Sequence, residues 1–163
     1  MTPQPTDADI AYVRRAIQLA REAVARGDYP FAAVLVAADG EVLFEGSNVC
    51  AHSGDPTDHA EVHVLKTAWR LHGLERIRRA TIYVNGEPCP MCAGMILQFD
   101  IARVVYAAPE PLLRQWLGGA DSFASYPSAG IFAAAGDRIA VTGGLLIAES
   151  AVPFEDWKAR GSP

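Results

Sequence analysis

The sequence predicts an α/β fold, a three-layer α/β/α sandwich with a mixed five-stranded sheet. Three observations support this prediction: strand-like apolar runs alternate with segments of helical periodicity, an Asp-Gly pair marks an opening hairpin, and no internal repeat or linker divides the chain. The 163 residues are 50% hydrophobic and 20% charged, which is typical of a globular protein with one core. We therefore expect a single domain over residues 1–163, with residues 1–5 as a flexible N-terminus.

The N-terminal part of the chain is predicted to form a helix and a hairpin. Apolar residues recur every three or four positions between Ile10 and Val24, which indicates an amphipathic helix. Thr6 is a suitable N-cap with Asp9 three residues later, and Gly27 can end the helix. Two apolar strands, 31–38 and 41–48, then flank the Asp-Gly pair.

The rest of the chain alternates between helix and strand. A loop over 49–57 precedes a helix from about Asp58 to His72, which Gly73 closes. The later elements are predicted as strand 81–85, helix 90–99, strand 103–107, helix 111–117, loop 118–127, strand 139–142 and a terminal helix around 154–159.

Charge and hydropathy narrow the class of protein. The formal net charge of −5 argues against binding through many phosphate contacts, because such proteins need a basic surface. The acidic start lacks the features of a signal peptide. The longest stretch without a charged residue, 122–136, contains Pro127 and is too short to span a bilayer. We expect a cytoplasmic protein with no membrane partner and no nucleic-acid partner.

Two short segments carry the candidate chemistry. His59 and Glu61 lie near one predicted helix start, and Cys89 and Cys92 lie near the next. The positive end of a helix lowers the pKa of a thiol and favours metal binding. One imidazole and two thiolates make three ligands for Zn²⁺, the number found in catalytic sites that keep one position open. Glu61 could then exchange a proton with the water that the metal activates.

This interpretation places a requirement on the backbone. Residues two apart on a regular helix point in different directions, so His59 and Glu61 could not both face one site from within it. We therefore expect His59 in the first turn or just before it, with Thr57 or Asp58 as the N-cap.

Three other interpretations of these residues remain open. Cys89 and Cys92 could form a redox pair, which would leave His59 and Glu61 unexplained. A closed structural zinc site could take a fourth ligand from Cys50, His52 or His63. The chain could also be a zinc-stabilised interaction module without catalytic activity.

The pair His-Ala-Glu and Pro-Cys-x-x-Cys, at residues 59–61 and 88–92, resembles the signature of the zinc-dependent cytidine deaminase-like superfamily. Within it the chain is most similar to the guanine deaminase and guanosine deaminase branch. Three segments carry this similarity: Pro30-Phe31-Ala32-Ala33, Asp55-Pro56-Thr57 and Glu87-Pro88-Cys89-Pro90-Met91-Cys92. The resemblance implies the cytidine deaminase-like fold, a bound Zn²⁺ and a homodimer.

The resemblance also implies roles for individual residues. Glu61 would be the catalytic proton shuttle, and Asp121 would be a second catalytic acid. The remaining roles would be metal binding by His59, Cys89 and Cys92, and substrate binding by Phe31, Asn48 and Ala60.

Some of these positions have simpler explanations as well. Phe31 is also consistent with a core residue, Asn48 with a turn residue, and Asp121 with a helix or turn cap. Gln98 stands where the family would have a bulky aromatic residue. The segment Pro153–Trp157 is similar to a tail that some members exchange between subunits.

The resemblance implies a zinc-dependent aminohydrolase that releases ammonia from an amino-substituted nucleobase or nucleoside, with guanine or a related purine favoured. One alternative is a tRNA adenosine deaminase, to which the segment Cys92-Ala93-Gly94 is similar. Another is a deaminase of a different small heterocycle, such as a cytosine, a pterin or a triazine.

Overall fold

The computed structural model describes residues 4–118 and 127–161 of the chain. Within these ranges five strands form one sheet in the order β2-β1-β3-β4-β5. Strand β1 is antiparallel to β2 and β3, whereas β3, β4 and β5 are parallel, so the predicted mixed five-stranded sheet is confirmed. The strands are β1 (Ala32–Val36), β2 (Val42–Ser47), β3 (Thr81–Gly86), β4 (Arg103–Ala108) and β5 (Ala140–Thr142).

Helices pack against both faces of the sheet. In the described ranges they are α1 (Asp7–Arg26), α2 (Cys50–Ser53), α3 (Ala60–His72), α4 (Leu74–Ile77), α5 (Pro90–Gln98), α6 (Glu110–Trp116), α7 (Ala129–Ala134) and α8 (Ile147–Ala159), with a 3₁₀ turn at Gly136–Arg138. None of these helices combines the length and the hydropathy that a membrane crossing requires.

The alternation of side chains along each strand creates the three layers. In β1, Ala33 and Leu35 join the core formed with α3, α5 and α7. Val34 and Val36 point to the other face and join the core formed with α1. This period of two is the ordinary geometry of a strand, and burial on both faces explains why β1 is buried along its whole length.

Helix α1 begins as the sequence predicts. Thr6 and Asp9 form a reciprocal capping box, and Gly27 ends the helix with a φ of 92°. The Asp9 carboxylate is also fully buried, where it accepts hydrogen bonds from both terminal guanidinium nitrogens of Arg103, at 2.7 and 2.9 Å, and from the hydroxyl of Tyr83. One side chain therefore joins the start of α1 to β3 and β4.

The structure differs from the prediction in several connections. The predicted loop over 49–57 contains the single turn α2, and helix α3 starts at Ala60 instead of Asp58. The terminal helix starts at Ile147 and continues through Pro153, although the sequence predicts it only from about Phe154. Short helices α4 and α7 were not predicted. Of the predicted loop 118–127, positions 119–126 lie outside the described residues.

Candidate active site

The starts of two helices bring the three predicted metal ligands together. His59 is the N-cap of α3, and Cys89 is the N-cap of α5 with Pro90 at its first helical position. Cys92 follows in the first turn of α5. The Nδ1 atom of His59 lies 3.5 Å from the Sγ of Cys89 and 3.6 Å from the Sγ of Cys92, and all the ligand atoms are within 4.8 Å of one another.

These distances fit a tetrahedral zinc ion. With usual Zn–S and Zn–N bond lengths, a tetrahedral angle places the sulfur and nitrogen ligands about 3.5 Å apart, close to the spacing observed between His59 and each cysteine. Two thiolates and one imidazole are also a donor set that zinc prefers. The residues present therefore fit the metal that the motif predicts.

The candidates for a fourth protein ligand are engaged elsewhere. His52 contacts the buried carboxylate of Asp28 through its Nδ1, at 3.0 Å, and the ring of His63 packs against Phe44. Cys50 is on α2 and does not belong to the ligand group found among residues 4–118 and 127–161. Within that part of the chain the site has three ligands, which is the pattern of a catalytic zinc site and not of a closed structural one.

The two thiols differ in their affinity for protons. A hydrogen bond from the thiol of Cys92 lowers the pKa of Cys89 to about 4, with a further contribution from His59, although burial opposes this shift. The same hydrogen bond, together with burial, raises the pKa of Cys92 well above its ordinary value. The hydrogen bond with Cys89 raises the pKa of His59. The geometry thus favours a thiolate at Cys89 even before a cation is considered.

Glu61 is a buried carboxyl group in the first turn of α3, beside the ligands. It is 7% exposed and lines a small pocket with Phe31, His59 and Cys89. Burial raises the pKa of Glu61 to about 7, and the negative charge of Cys89 adds to this shift. The required position of His59 is confirmed, but His59 is itself the N-cap in place of Thr57 or Asp58.

The family comparison agrees with this geometry. Residues 6–108 match the model described as the cytidine and deoxycytidylate deaminase zinc-binding region, which is more than half of the chain. The chain belongs to this family. The predicted superfamily and its zinc cofactor are thereby confirmed.

The relatives of this deaminase-family chain include proteins with three different enzyme names. It is 35% identical over 90% of its length to the tRNA(Ile)-lysidine synthase of Deinococcus radiodurans, of which it covers 24%. It is 41% identical over 60% of its length to the guanine deaminase of Bacillus subtilis, covering 62% of that protein. It is 38% identical over 64% of its length to the tRNA-specific adenosine deaminase of Haemophilus influenzae, covering 61%. The chain thus spans from about a quarter to about three-fifths of these relatives.

The similar solved structures also include both a tRNA deaminase study and a guanine deaminase. A structure from work on tRNA:A34 deaminases superposes with a TM-score of 0.72 at 32% identity, covering 88% of this chain and 98% of that one. The guanine deaminase of Nitrosomonas europaea superposes with a TM-score of 0.80 at 23% identity, covering 96% and 88%. The second likeness establishes the fold alone.

The other predicted residues of this deaminase fold occupy different positions around the pocket. Phe31 is half-buried and lines it. Asn48 is buried at the end of β2, outside the described pocket lining, and its Oδ1 accepts a hydrogen bond from the backbone N–H of Cys50 at 3.0 Å. Ala60 is fully buried as the first residue of α3. Asp121 lies outside the described residues, so its role and the substrate contacts stay predictions.

Sequence reasoning missed two residues that line the pocket, Glu87 and Leu113. The carboxylate of Glu87 accepts hydrogen bonds from the backbone N–H of Glu110 and from both the N–H and the hydroxyl of Ser128, all at 2.9 Å. It therefore joins the segment between β3 and α5, which carries Cys89, to the starts of α6 and α7. The position of Glu87 directly before Pro-Cys was a signal in the sequence, whereas nothing local distinguishes Leu113 from a core residue.

Proposed function

We propose that the protein is a hydrolytic zinc deaminase acting on free guanine or a related purine base or nucleoside. The observation that carries this proposal is the arrangement of the three metal ligands and the buried Glu61 in one pocket beside an aromatic ring, Phe31. A flat ring can pack against Phe31 while one of its carbon atoms faces the metal site. The aminohydrolase chemistry of the family fits such a pocket.

In this reaction the zinc ion and Glu61 would have different roles. When bound, zinc supplies an activated water at its open position. Glu61 accepts one proton on its carboxylate and delivers it to a ring nitrogen of the substrate. It then takes a second proton from the oxygen atom added at the ring carbon and delivers it to the amino group. The amine is then able to depart as ammonia, because it leaves as a neutral molecule.

Three further residues would act on the base. Asn48 is buried near the pocket end of β2, and its carbonyl oxygen is already engaged by Cys50, so we assign its N–H groups to an acceptor on the substrate. Asp121 would hold or transfer a proton at the leaving amino group. Ala60, at the start of α3, would contribute backbone contact to the ring.

The distribution of charge supports a small substrate over a large RNA. Binding of tRNA needs basic side chains that are available to phosphates, but most arginines in the described chain form ion pairs with carboxylates. These pairs involve Arg14, Arg15, Arg21, Arg26, Arg76, Arg78, Arg103 and Arg114.

The second candidate function is deamination of adenosine in tRNA. It is favoured by the 32% identity that extends over 98% of the chain from work on tRNA:A34 deaminases. For both candidate functions the zinc and Glu61 would act in the same way. The pocket would receive a free purine base or nucleoside in the first, and an adenosine that is part of tRNA in the second. The homodimer and the cytoplasmic location remain predictions from the sequence.

A substrate panel separates the two candidates. The zinc-loaded protein is incubated with guanine, guanosine, adenine, cytosine, a pterin, a triazine and a tRNA anticodon stem-loop, and ammonia release is measured. A gel-shift titration with tRNA at moderate salt accompanies the assay. We expect release from guanine or a related purine and no shift with tRNA. Conversion of adenosine to inosine in the stem-loop without release from free bases would favour the second candidate, and no release from any substrate would contradict both.

A further inference from the structure

We propose that Asn85 is a positioning residue that fixes the ring of Phe31 at the wall of the pocket. This inference rests on the proposed function, because it assigns Phe31 to substrate binding. Asn85 belongs to β3 and is completely buried. In the sequence alone, nothing distinguishes Asn85 from the other residues at the end of a predicted strand.

The side chain of Asn85 ties down the backbone on both sides of Phe31. Its Oδ1 accepts a hydrogen bond from the N–H of Ala32 at 2.8 Å. Its Nδ2 donates a hydrogen bond to the carbonyl oxygen of Pro30, also at 2.8 Å. These two groups belong to the two peptide units that flank Phe31, so neither unit can rotate without breaking a buried hydrogen bond.

The side chain of Asn85 takes the place of backbone hydrogen bonds where the pairing between β1 and β3 ends. The ladder between β1 and β3 stops at Ala33, opposite Val84. Beyond that pair the amide of Asn85 supplies the donor and the acceptor that a neighbouring strand would otherwise provide. Burying an amide is costly unless its hydrogen bonds are satisfied, and both functional groups of Asn85 are satisfied by the segment that carries Phe31.

The ring itself is held against the pocket by its neighbours. Phe31 packs edge-on against Phe154, with ring centroids 5.3 Å apart. Its Cε1 lies 3.2 Å from where a Cβ on Gly86 would be, and a methyl of Leu113 lies 3.1 Å from the same point. Phe31 and Leu113 both line the pocket. A rotation of the Phe31 backbone would therefore change both the pocket wall and the environment of the Leu113 methyl groups.

The test compares Asn85→Ala with a matched control, Ser150→Ala. The hydroxyl of Ser150 donates a buried hydrogen bond to the backbone carbonyl of Asn85 at 2.7 Å, so its loss removes a bond of similar burial without touching the amide side chain. Asn85→Ser is a second variant in case the alanine variant does not fold. Each zinc-loaded protein is assayed for KM and kcat on its best purine substrate, and the ¹³C methyl shifts of Leu113 are recorded.

We expect Asn85→Ala and Asn85→Ser to raise KM by about three- to tenfold, the range that corresponds to loss of one aromatic stacking contact, with kcat changed by less than about threefold. The Leu113 methyl shifts should move toward those of Phe31→Ala, which lacks the ring. Ser150→Ala should leave both KM and the shifts unchanged.

Two outcomes overturn the proposal. If both Asn85 variants lose stability but keep the wild-type KM and Leu113 shifts, Asn85 only stabilises the fold. If KM and the shifts change equally in Ser150→Ala, the amide has no special part in placing Phe31. If the wild-type protein deaminates nothing, the proposed function fails by itself, while the methyl shifts still decide whether Asn85 places the ring.

Discussion

Asp9 shows how much one buried side chain can contribute to this fold. Burial alone would raise its pKa, but hydrogen bonds from Arg103 and from Thr6 outweigh that effect and bring the pKa below its ordinary value of 3.8. The same carboxylate caps α1 and anchors β4 through Arg103. The folded state therefore depends on Asp9 remaining ionised.

We expect Asp9→Asn to lower the free energy of unfolding by about 3 kcal/mol, because it leaves the largely buried guanidinium of Arg103 without its counter-charge. In the wild-type protein the unfolded chain takes up the proton at a higher pH than the folded chain. The contribution of Asp9 is therefore present above pH 4 and is lost as the pH falls through the folded-state pKa. Denaturant titrations between pH 2 and pH 7 measure both effects.

The matched control is Asp156→Asn, which breaks an ion pair with Arg21 whose side chains are 45% and 57% exposed. Such exposed pairs contribute about 0–1 kcal/mol. Two results would show that the buried pair stabilises the protein no more than the exposed pair does. One is an equal loss of unfolding free energy in the two variants. The other is an Asp9→Asn variant whose stability depends on pH as that of the wild type does.

At the residue level the sequence was informative where a short motif carries the chemistry. His59, Cys89 and Cys92 were predicted as ligands because their residue types and spacing are rare together, and in the structure their ligand atoms lie within 4.8 Å of one another. Asn85 and Glu87 were not predicted as positioning groups. Their partners are distant along the chain, namely Pro30, Ala32, Glu110 and Ser128. The position of Glu87 directly before Pro-Cys marks it as part of the motif but does not reveal which groups it contacts.

The connection after β5 illustrates the importance of close packing between elements. Gly143 lies under the ring of Tyr106 in β4, and a Cβ at this position would be 2.1 Å from a ring carbon. No side chain fits there unless the ring or the backbone moves. Burial also raises the pKa of Tyr106 to about 12, so the ring stays neutral where it packs.

We expect Gly143→Ala to destabilise the protein by about 1–3 kcal/mol, the usual cost of overpacking. Gly130→Ala is the control, since Gly130 is in α7 and a Cβ there would meet nothing within 4 Å. In a helix that change should be neutral or stabilising by up to about 1 kcal/mol. Thermal unfolding of both variants tests this contrast, and a Gly143→Ala variant as stable as Gly130→Ala would contradict it.

Whole elements were predicted well where local signals agree. The capping box of Thr6 and Asp9 identified the start of α1, and the Asp-Gly pair identified the β1–β2 hairpin. Helix α8 is longer than the sequence predicts and contains Pro153, a residue that disfavours a helix interior. In the structure α8 packs against α1 and buries Phe154, and these tertiary contacts outweigh the local cost.

At the scale of the whole molecule, the metal site joins distant parts of the chain. His59 comes from the start of α3 and the two cysteines from the start of α5, about thirty residues later. A metal held by all three connects two helices that pack on the same face of the sheet. Zinc should therefore contribute to stability as well as to activity.

We expect removal of zinc with a chelator to lower Tm by at least about 5 °C, because a ligand that binds only the folded state stabilises it by mass action. Adding zinc back should restore Tm, and magnesium should not, since it prefers oxygen ligands. An unchanged Tm after metal analysis confirms the loss of zinc would contradict a site that links the two helices.

We infer that Glu61 moves protons beside a zinc ion held by His59, Cys89 and Cys92. The decisive measurement of this role is of zinc content and ammonia release in Glu61→Gln, with whichever substrate the wild-type protein prefers. We predict one zinc per chain, as in the wild type, and a rate of ammonia release reduced by about 10²- to 10⁴-fold. If the variant keeps its zinc and deaminates at nearly the wild-type rate, Glu61 does not transfer the protons.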